Sequence, residues 1–252
     1  MKFDSDSEWQ AWGETDPLWA VATWKGKQAG GASPWTDEAF YALGLADWNA
    51  LLVRWRRYGL IVDACVEIGC GAGRMTRHLS RDFRRVEALD VSPGMLVYAR
   101  ERIQDEAIHF HLTSGADVPL SDGSVTAALS TYVFQHFDSL EHGRAMFAQI
   151  ARVLAPGGTM LIQLPVHAWP FERQGFALWH GLRARAEHLH AALRRRLPLR
   201  PIMRGTSYPA RWLFDTLPAL GLDDIEVSWF DTGEKGKPSL VAAVFARKGL
   251  PG

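Results

Sequence analysis

Val66-Glu67-Ile68-Gly69-Cys70-Gly71-Ala72-Gly73, followed seventeen residues after Gly73 by Asp90 in Val86-Glu87-Ala88-Leu89-Asp90-Val91-Ser92-Pro93-Gly94, decides how the rest of this chain is read. An apolar run from Ile61 to Ile68 leads straight into glycines at alternate positions, and Arg74-Met75-Thr76-Arg77-His78-Leu79 then takes up a helical pattern. That order is strand, tight turn and helix, the build of a nucleotide site. Glycine is needed where a turn adopts backbone angles that a Cβ resists and where a ligand must come close to the main chain. A helix behind the turn adds unpaired N–H groups and the positive end of its dipole.

A dinucleotide fingerprint, Gly-x-Gly-x-x-Gly, requires glycine at position 74 if Gly69 and Gly71 are its first two, and position 74 is Arg. The observed Glu-x-Gly-x-Gly-x-Gly resembles instead the first motif of the class I S-adenosylmethionine (SAM) dependent methyltransferases. The resemblance continues, in family order and spacing, through Thr113-Ser-Gly-Ala-Asp-Val-Pro-Leu120, Ser121-Asp-Gly-Ser-Val125, Ser130-Thr-Tyr-Val-Phe-Gln-His-Phe137 and Ala151-Arg-Val-Leu-Ala-Pro-Gly-Gly158. It covers residues 61 to 165 well and the remainder loosely. It implies an α/β, Rossmann-like class I methyltransferase fold, with a seven-stranded, mostly parallel sheet, and SAM as cofactor.

The same resemblance assigns site residues. Gly69, Gly71 and Gly73 supply backbone approach with Cys70 lining the loop, and the Asp90 carboxylate accepts both ribose hydroxyls as charge-assisted hydrogen bonds. Val91 and Met95 join the cofactor set, Ser114 and Gly115 stand where similar enzymes contact the adenine, and Ser130 and Thr131 lie beside the methionyl part. Two departures stand out. Many members carry Asp where this chain has Ser114, and Asp is common near Thr126. Glu67 either braces the loop or touches SAM, and Arg74 either pairs with the cofactor's carboxylate or covers a helix surface.

Composition fits an enzyme and bounds little else. A 252-residue chain with 47% hydrophobic content can bury a substantial core. Lys plus Arg equals Asp plus Glu, at 28 each, so no global field favours nucleic acid or an anionic membrane. Cys65 and Cys70 lie in one strand and the loop leaving it, where a mutual disulfide is geometrically implausible and metal-ligand spacing is absent. The N-terminus is acidic without an apolar signal core, and no apolar stretch approaches the ~20 residues of a membrane span. A cytoplasmic protein without membrane insertion, nucleic-acid partner or bound metal is expected.

Along the chain the character changes three times. Residues 1–60 hold seven of the eleven tryptophans and read as an aromatic-rich helical cap. Residues 61–165 alternate strand and helix, with strands expected at 62–68, 85–90, 107–112, 125–130 and 159–164, as a parallel sheet requires. Ile108-His109-Phe110-His111-Leu112 alternates, as an edge strand does, with both histidines toward solvent. Residues 166–205 read as an inserted helical lid, with Leu178, Leu182, Ala186, Leu189 and Leu193 on one face and arginines elsewhere. Two readings are open for that basic side: a solvated surface, or a contact for an acidic substrate or partner. In residues 206–252, Ser207 and Pro209 start a helix that Gly221 ends, and 224–230 and 239–247 close the sheet as an antiparallel hairpin.

The chemistry asks little of side chains, because the sulfonium of SAM already activates its methyl and alignment does most of the work. A phenol, alcohol or protonated amine acceptor also needs a base, and histidine suits neutral pH. His136 follows the fourth strand at the carboxyl edge, where open α/β sheets bind ligands, and it either serves as that base or caps a helix. For the acceptor pocket, Trp19, Trp24 and Trp35 from the cap, with Tyr132, His167, Trp169 and Tyr208, are the candidates. Each tryptophan has packing as its alternative. An apolar or aromatic small molecule is the expected acceptor. A peptide or other macromolecule, or a SAM-binding subunit without turnover, is the alternative.

Overall fold

In the computed structural model, which describes residues 4–167, 205–229 and 241–250, the sheet grows outward from the apolar run. β1 (Ala64–Ile68) pairs in parallel with β2 (Arg85–Asp90) on one side and β4 (Val125–Thr131) on the other. β3 (Ile108–Leu112) lies outside β2, and β5 (Leu154–His167) outside β4. A two-residue strand, β6 (Tyr208–Pro209), pairs with the end of β5. The last strands, β7 (Leu222–Trp229) and β8 (Val241–Lys248), pair antiparallel, giving the order β3-β2-β1-β4-β5-β8-β7. The chain steps one way from β1 to β3 and the other way through β4 and β5. That reversal leaves a crevice at the carboxyl ends of β1 and β4.

Period-2 alternation splits the core into two layers. Cys65 faces a layer containing Trp48, Trp55 and Phe83, whereas Ala64, Val66 and Ile68 face one containing Phe147, Leu213 and Tyr208. The helices on these faces are α1 (Asp4–Thr15), α2 (Pro17–Val21), α3 (Asp37–Tyr58), α4 (Thr76–Leu79), α5 (Pro93–Arg102), α6 (Leu140–Val153) and α7 (Ala210–Ala219). α7 begins after Pro209 and ends before Gly221, whose φ is +72°, as its sequence signals require. β5 runs past its expected end because Pro165 still pairs with Val241 and Val166 with Tyr208.

The expected cap divides into two parts. α3 starts at Thr36, whose hydroxyl accepts from the Ala39 N–H, and stops at Gly59 in the left-handed region with φ +107°. It buries Tyr41, Gly44, Trp48, Leu51 and Trp55 at three- and four-residue steps, with Phe40 beside them, and so forms part of the helical layer on the sheet. Trp55 Nε1 donates to Thr159 Oγ1 at 2.9 Å and Trp48 Nε1 to Asp82 Oδ2 at 2.8 Å. α1 and α2 reach over the carboxyl edge instead. α1 crosses α5 where both lack side chains: a Cβ on Gly13 would lie 2.1 Å from Ser92 Oγ, and one on Gly94 2.9 Å from Gly13 backbone.

One sequence departure acquires a structural reason. Thr126 Oγ1 donates to the Ile61 carbonyl at 2.9 Å and accepts from the Ala64 N–H at 3.2 Å, fastening the start of β1. The edge strand corrects one expectation. His109 is exposed, but His111 is half-buried with its Nε2 2.6 Å from Glu87 Oε2. Of the expected lid, residues 168–204 lie outside the described residues, and with them Trp169 and the arginine-rich stripe. Among the described residues no helix is long and apolar enough to cross a membrane.

Candidate active site

The glycine turn at the end of β1 is left-handed three times, with φ of +72° at Gly69, +55° at Gly71 and +81° at Gly73. L-residues with a Cβ resist these angles. The Gly69 and Cys70 N–H groups donate to the Leu89 carbonyl at 2.8 and 2.9 Å, tying the turn to β2. The next residue of β2 is Asp90. Its Oδ2 accepts from the Gly71 N–H at 2.8 Å and its Oδ1 from the Ser92 N–H at 2.9 Å. The Val91 backbone adds a third donor, and the carboxylate keeps acceptor capacity for a ligand. Residues 71–75 remain in turns and α4 is only four residues long, so the expected helix-dipole contribution is small.

The turn floors a cavity of about 420 Å³, within the usual range for small-ligand sites. Asp90, Glu67 and Arg74 line its base, Thr131, Tyr132 and His136 its β4 side, and Gly115 its β3 side. The roof comes from the N-terminal helices and the turn after them, through Asp6, Trp9, Val21 and Trp24. Burial pushes the Asp90 carboxyl up to about 6 against its backbone donors, with the Asp6 charge adding to the rise. Burial likewise holds Glu67 at about 7, although Thr76 Oγ1 donates to it at 2.6 Å. Glu67 therefore braces the turn while its carboxyl also faces the cavity. Arg74 reaches Asp47 of α3 through Nη1, and its buried Nε has no hydrogen-bond partner among the described residues.

These features accommodate SAM. Left-handed glycines let the ligand approach the backbone, Asp90 has spare acceptor capacity for hydroxyls, and buried acidic groups suit a sulfonium cation. The unsatisfied guanidinium N–H suits a carboxylate.

The cavity brings together Glu67, Gly69, Cys70, Gly71, Arg74, Asp90, Val91, Gly115, Thr131, Tyr132, His136 and Trp24. His136 closes a 3-10 turn, Phe134–His136, with the Trp9 ring 4.9 Å away edge-on. Gln135 Nε2 donates to His136 Nε2 at 3.0 Å, which requires the tautomer protonated on Nδ1. Tyr132 is itself strained, with φ +61° on a bulky residue.

Other candidates sit elsewhere. Gly73 answers to packing, since a Cβ there would meet Ile103 Cδ1 at 2.5 Å. Met95 is fully buried beneath α1, Ser130 donates to the Ile68 carbonyl at 2.9 Å, and Ser114 is exposed beyond the rim. Trp19 packs on Trp12 and donates to the Trp24 carbonyl, and Trp35 donates to the Ala22 carbonyl. His167 ends β5 beside Pro209, off the cavity wall. Tyr208 is a correction: it is wholly buried, its hydroxyl donates to the Phe134 carbonyl at 2.8 Å, and its ring fills the space above Gly143. Sequence reading missed Asp6, Trp9, Val21 and Asp47. The paired small residues Gly13 and Gly94 are the signal that α1 lies this close to the site.

Comparison with known proteins agrees with this geometry. A family model described as a methyltransferase domain matches residues 66–162. A malonyl-[acyl-carrier protein] O-methyltransferase of Hahella chejuensis is 31% identical over 119 residues, 46% of this chain and 41% of the relative. A trans-aconitate 2-methyltransferase of Mycobacterium tuberculosis is 33% identical over 155 residues, 60% of this chain and 54% of the relative. The chain thus spans about half the length of these relatives, or less. A SAM-dependent methyltransferase structure from Methanosarcina mazei superposes with a TM-score of 0.53 at 17% identity, covering 78% of this chain and 97% of that one. Residues 66–162 belong to the class I S-adenosylmethionine-dependent methyltransferases.

Proposed function

We propose that this chain transfers the methyl group of SAM to an oxygen, nitrogen or carbon nucleophile of a small molecule, apolar or aromatic in character. The observation that carries the reading is one cavity with Asp90 and the glycine turn at its base and Trp24, Tyr132 and His136 along its walls. Bound SAM supplies a methyl already activated by its sulfonium. The chain's own residues then have three tasks. Asp90 and the Gly69–Gly71 backbone fix the ribose side, and Arg74 exchanges part of its Asp47 contact for the methionyl carboxylate. Trp24 and Tyr132 offer aromatic faces to the acceptor, holding its lone pair in line with the methyl. For an acceptor that must lose a proton, His136 Nε2 takes it once Gln135 yields that lone pair.

Both relatives above are named for carboxylate-bearing acceptors, and a carboxylate needs no base. Loss of turnover in His136→Ala therefore separates a protic acceptor from a carboxylate. Incubation of the protein with methyl-labelled SAM and a metabolite extract tests the function itself. Label should appear in a small organic-soluble product. Label confined to protein would favour a macromolecular acceptor, and SAM binding without any transfer a regulatory subunit.

A further inference from the structure

Besides Glu67 at the base, two further buried carboxylates face the cavity from different elements: Asp90 at the end of β2 and Asp6 on α1. Like charges in a low-dielectric site disfavour each other, and a ligand that donates hydrogen bonds to both relieves that cost. Asp6 is carried there by a docked helix. Besides the Gly13–Gly94 crossing, Gln10 Nε2 donates to the Val91 carbonyl at 3.1 Å and Trp12 is buried in the core. Its carboxylate occupies space that a side chain at 115 would take. A Cβ on Gly115 would lie 2.6 Å from Asp6 Oδ1 and 3.2 Å from Val91 Cγ1. The carbonyl of Gly115 is itself fixed 2.9 Å from His142 Nε2.

The order of the sheet gives the ligand a direction. Arg74, the cation that suits the methionyl carboxylate, and Thr131 with Tyr132 lie on the β1 and β4 side. Asp90 grips the ribose between, so the base falls toward β3, where Gly115 and Asp6 are. Adenine carries one N–H donor group at its far edge, the exocyclic amine. We propose that Asp6 accepts a hydrogen bond from that amine, making the N-terminal helix a specificity element for the cofactor's base. This assignment rests on the SAM reading above.

The test is calorimetric titration of the full chain with S-adenosylhomocysteine and with S-inosylhomocysteine, whose base carries a carbonyl in place of the amine. The wild-type chain should bind the adenosyl ligand about 10- to 100-fold more tightly, the weight of one hydrogen bond to a charged group. Asp6→Ala should lose that factor for the adenosyl ligand and should not weaken the inosyl ligand, whose carbonyl is relieved of a facing carboxylate. Asp6→Asn, isosteric and able to donate to a carbonyl, should move the preference toward the inosyl ligand. Equal weakening of both ligands in Asp6→Ala, unchanged adenosyl binding, or tighter adenosyl binding would each overturn the assignment, the last by showing that Asp6 occupies the ligand's place. A wild-type chain that binds neither ligand overturns the SAM reading and the assignment together. A wild-type chain that binds both equally overturns the assignment alone.

Discussion

Gly44→Ala is a substitution for which local propensity and tertiary packing demand opposite signs. Gly44 lies inside α3, where alanine is favoured over glycine by about 1 kcal/mol. A Cβ there, however, would lie 1.9 Å from the Arg74 carbonyl oxygen, 2.8 Å from its carbon and 3.1 Å from Arg74 Cγ. Ordinary contact begins at 3.4 Å, so helix and turn must part by roughly 1.5 Å. The obstacle is backbone and cannot rotate away, and the neighbouring Ala72 carbonyl is held by the Tyr41 hydroxyl at 3.0 Å. Overpacking costs about 1–3 kcal/mol, and a clash with main chain belongs at the upper end. Subtracting the helical gain leaves a net loss of about 2 kcal/mol, or about 4–8 °C in Tm for a chain of this size. Denaturant unfolding should show a lower midpoint at unchanged slope. SAM affinity should fall as well, because Arg74 moves with the turn. A variant as stable as the parent, or more so, would refute the seating of α3 on the glycine turn.

Acidity bears on Asp90 directly. Its folded value near 6 lies above that of an unfolded carboxylate, so the proton it retains favours the ligand-free fold at low pH, and that contribution is lost as pH rises through about 6. SAM binding runs the other way: it uses the ionised carboxylate, so affinity should fall toward tenfold per unit below about pH 6 with proton release on binding, and an affinity flat from pH 5 to 8 would contradict this. Trp24→Ala should raise the acceptor's KM at unchanged melting temperature, since the residue is 55% exposed, whereas Tyr208→Ala should destabilise by about 3–5 kcal/mol as a buried aromatic does. Melting and kinetics measured together separate the two. His136→Ala should lower turnover about 10²- to 10⁴-fold for a protic acceptor without moving S-adenosylhomocysteine affinity, and wild-type turnover at every pH would remove the base from the mechanism.

The sheet was readable because its strands are short apolar runs punctuated by glycine and proline, and because family motifs fixed which carboxyl ends meet. The base of the site was equally local. Gly71, in the turn that leaves β1, and Asp90, at the end of the adjacent β2, lie nineteen residues apart, and their bond follows from the pairing of those two strands. The roof was not readable, because it depends on where α1 and α3 dock. Tryptophan content marked residues 1–60 as important without telling a core residue such as Trp55 from a cavity residue such as Trp24. Tyr208 misled for the same reason: a tyrosine after the insert reads as a pocket residue until its ring is seen filling the notch above Gly143. Asp6 itself carries no local signal, since it is the docking of α1, through the Gly13–Gly94 contact, Gln10 and Trp12, that brings it over the site.

The most direct test of the cofactor site is titration of S-adenosylhomocysteine into the intact chain and into Asp90→Ala, with circular dichroism as the check on folding. Removing the carboxylate deletes up to two charge-assisted hydrogen bonds to the ribose, each worth about 1.5–3 kcal/mol. The expected result is saturable binding by the parent chain and a loss of about 10²- to 10⁴-fold in a folded variant. Equal affinity in the two proteins, or tight binding of NAD by the parent chain, would contradict it.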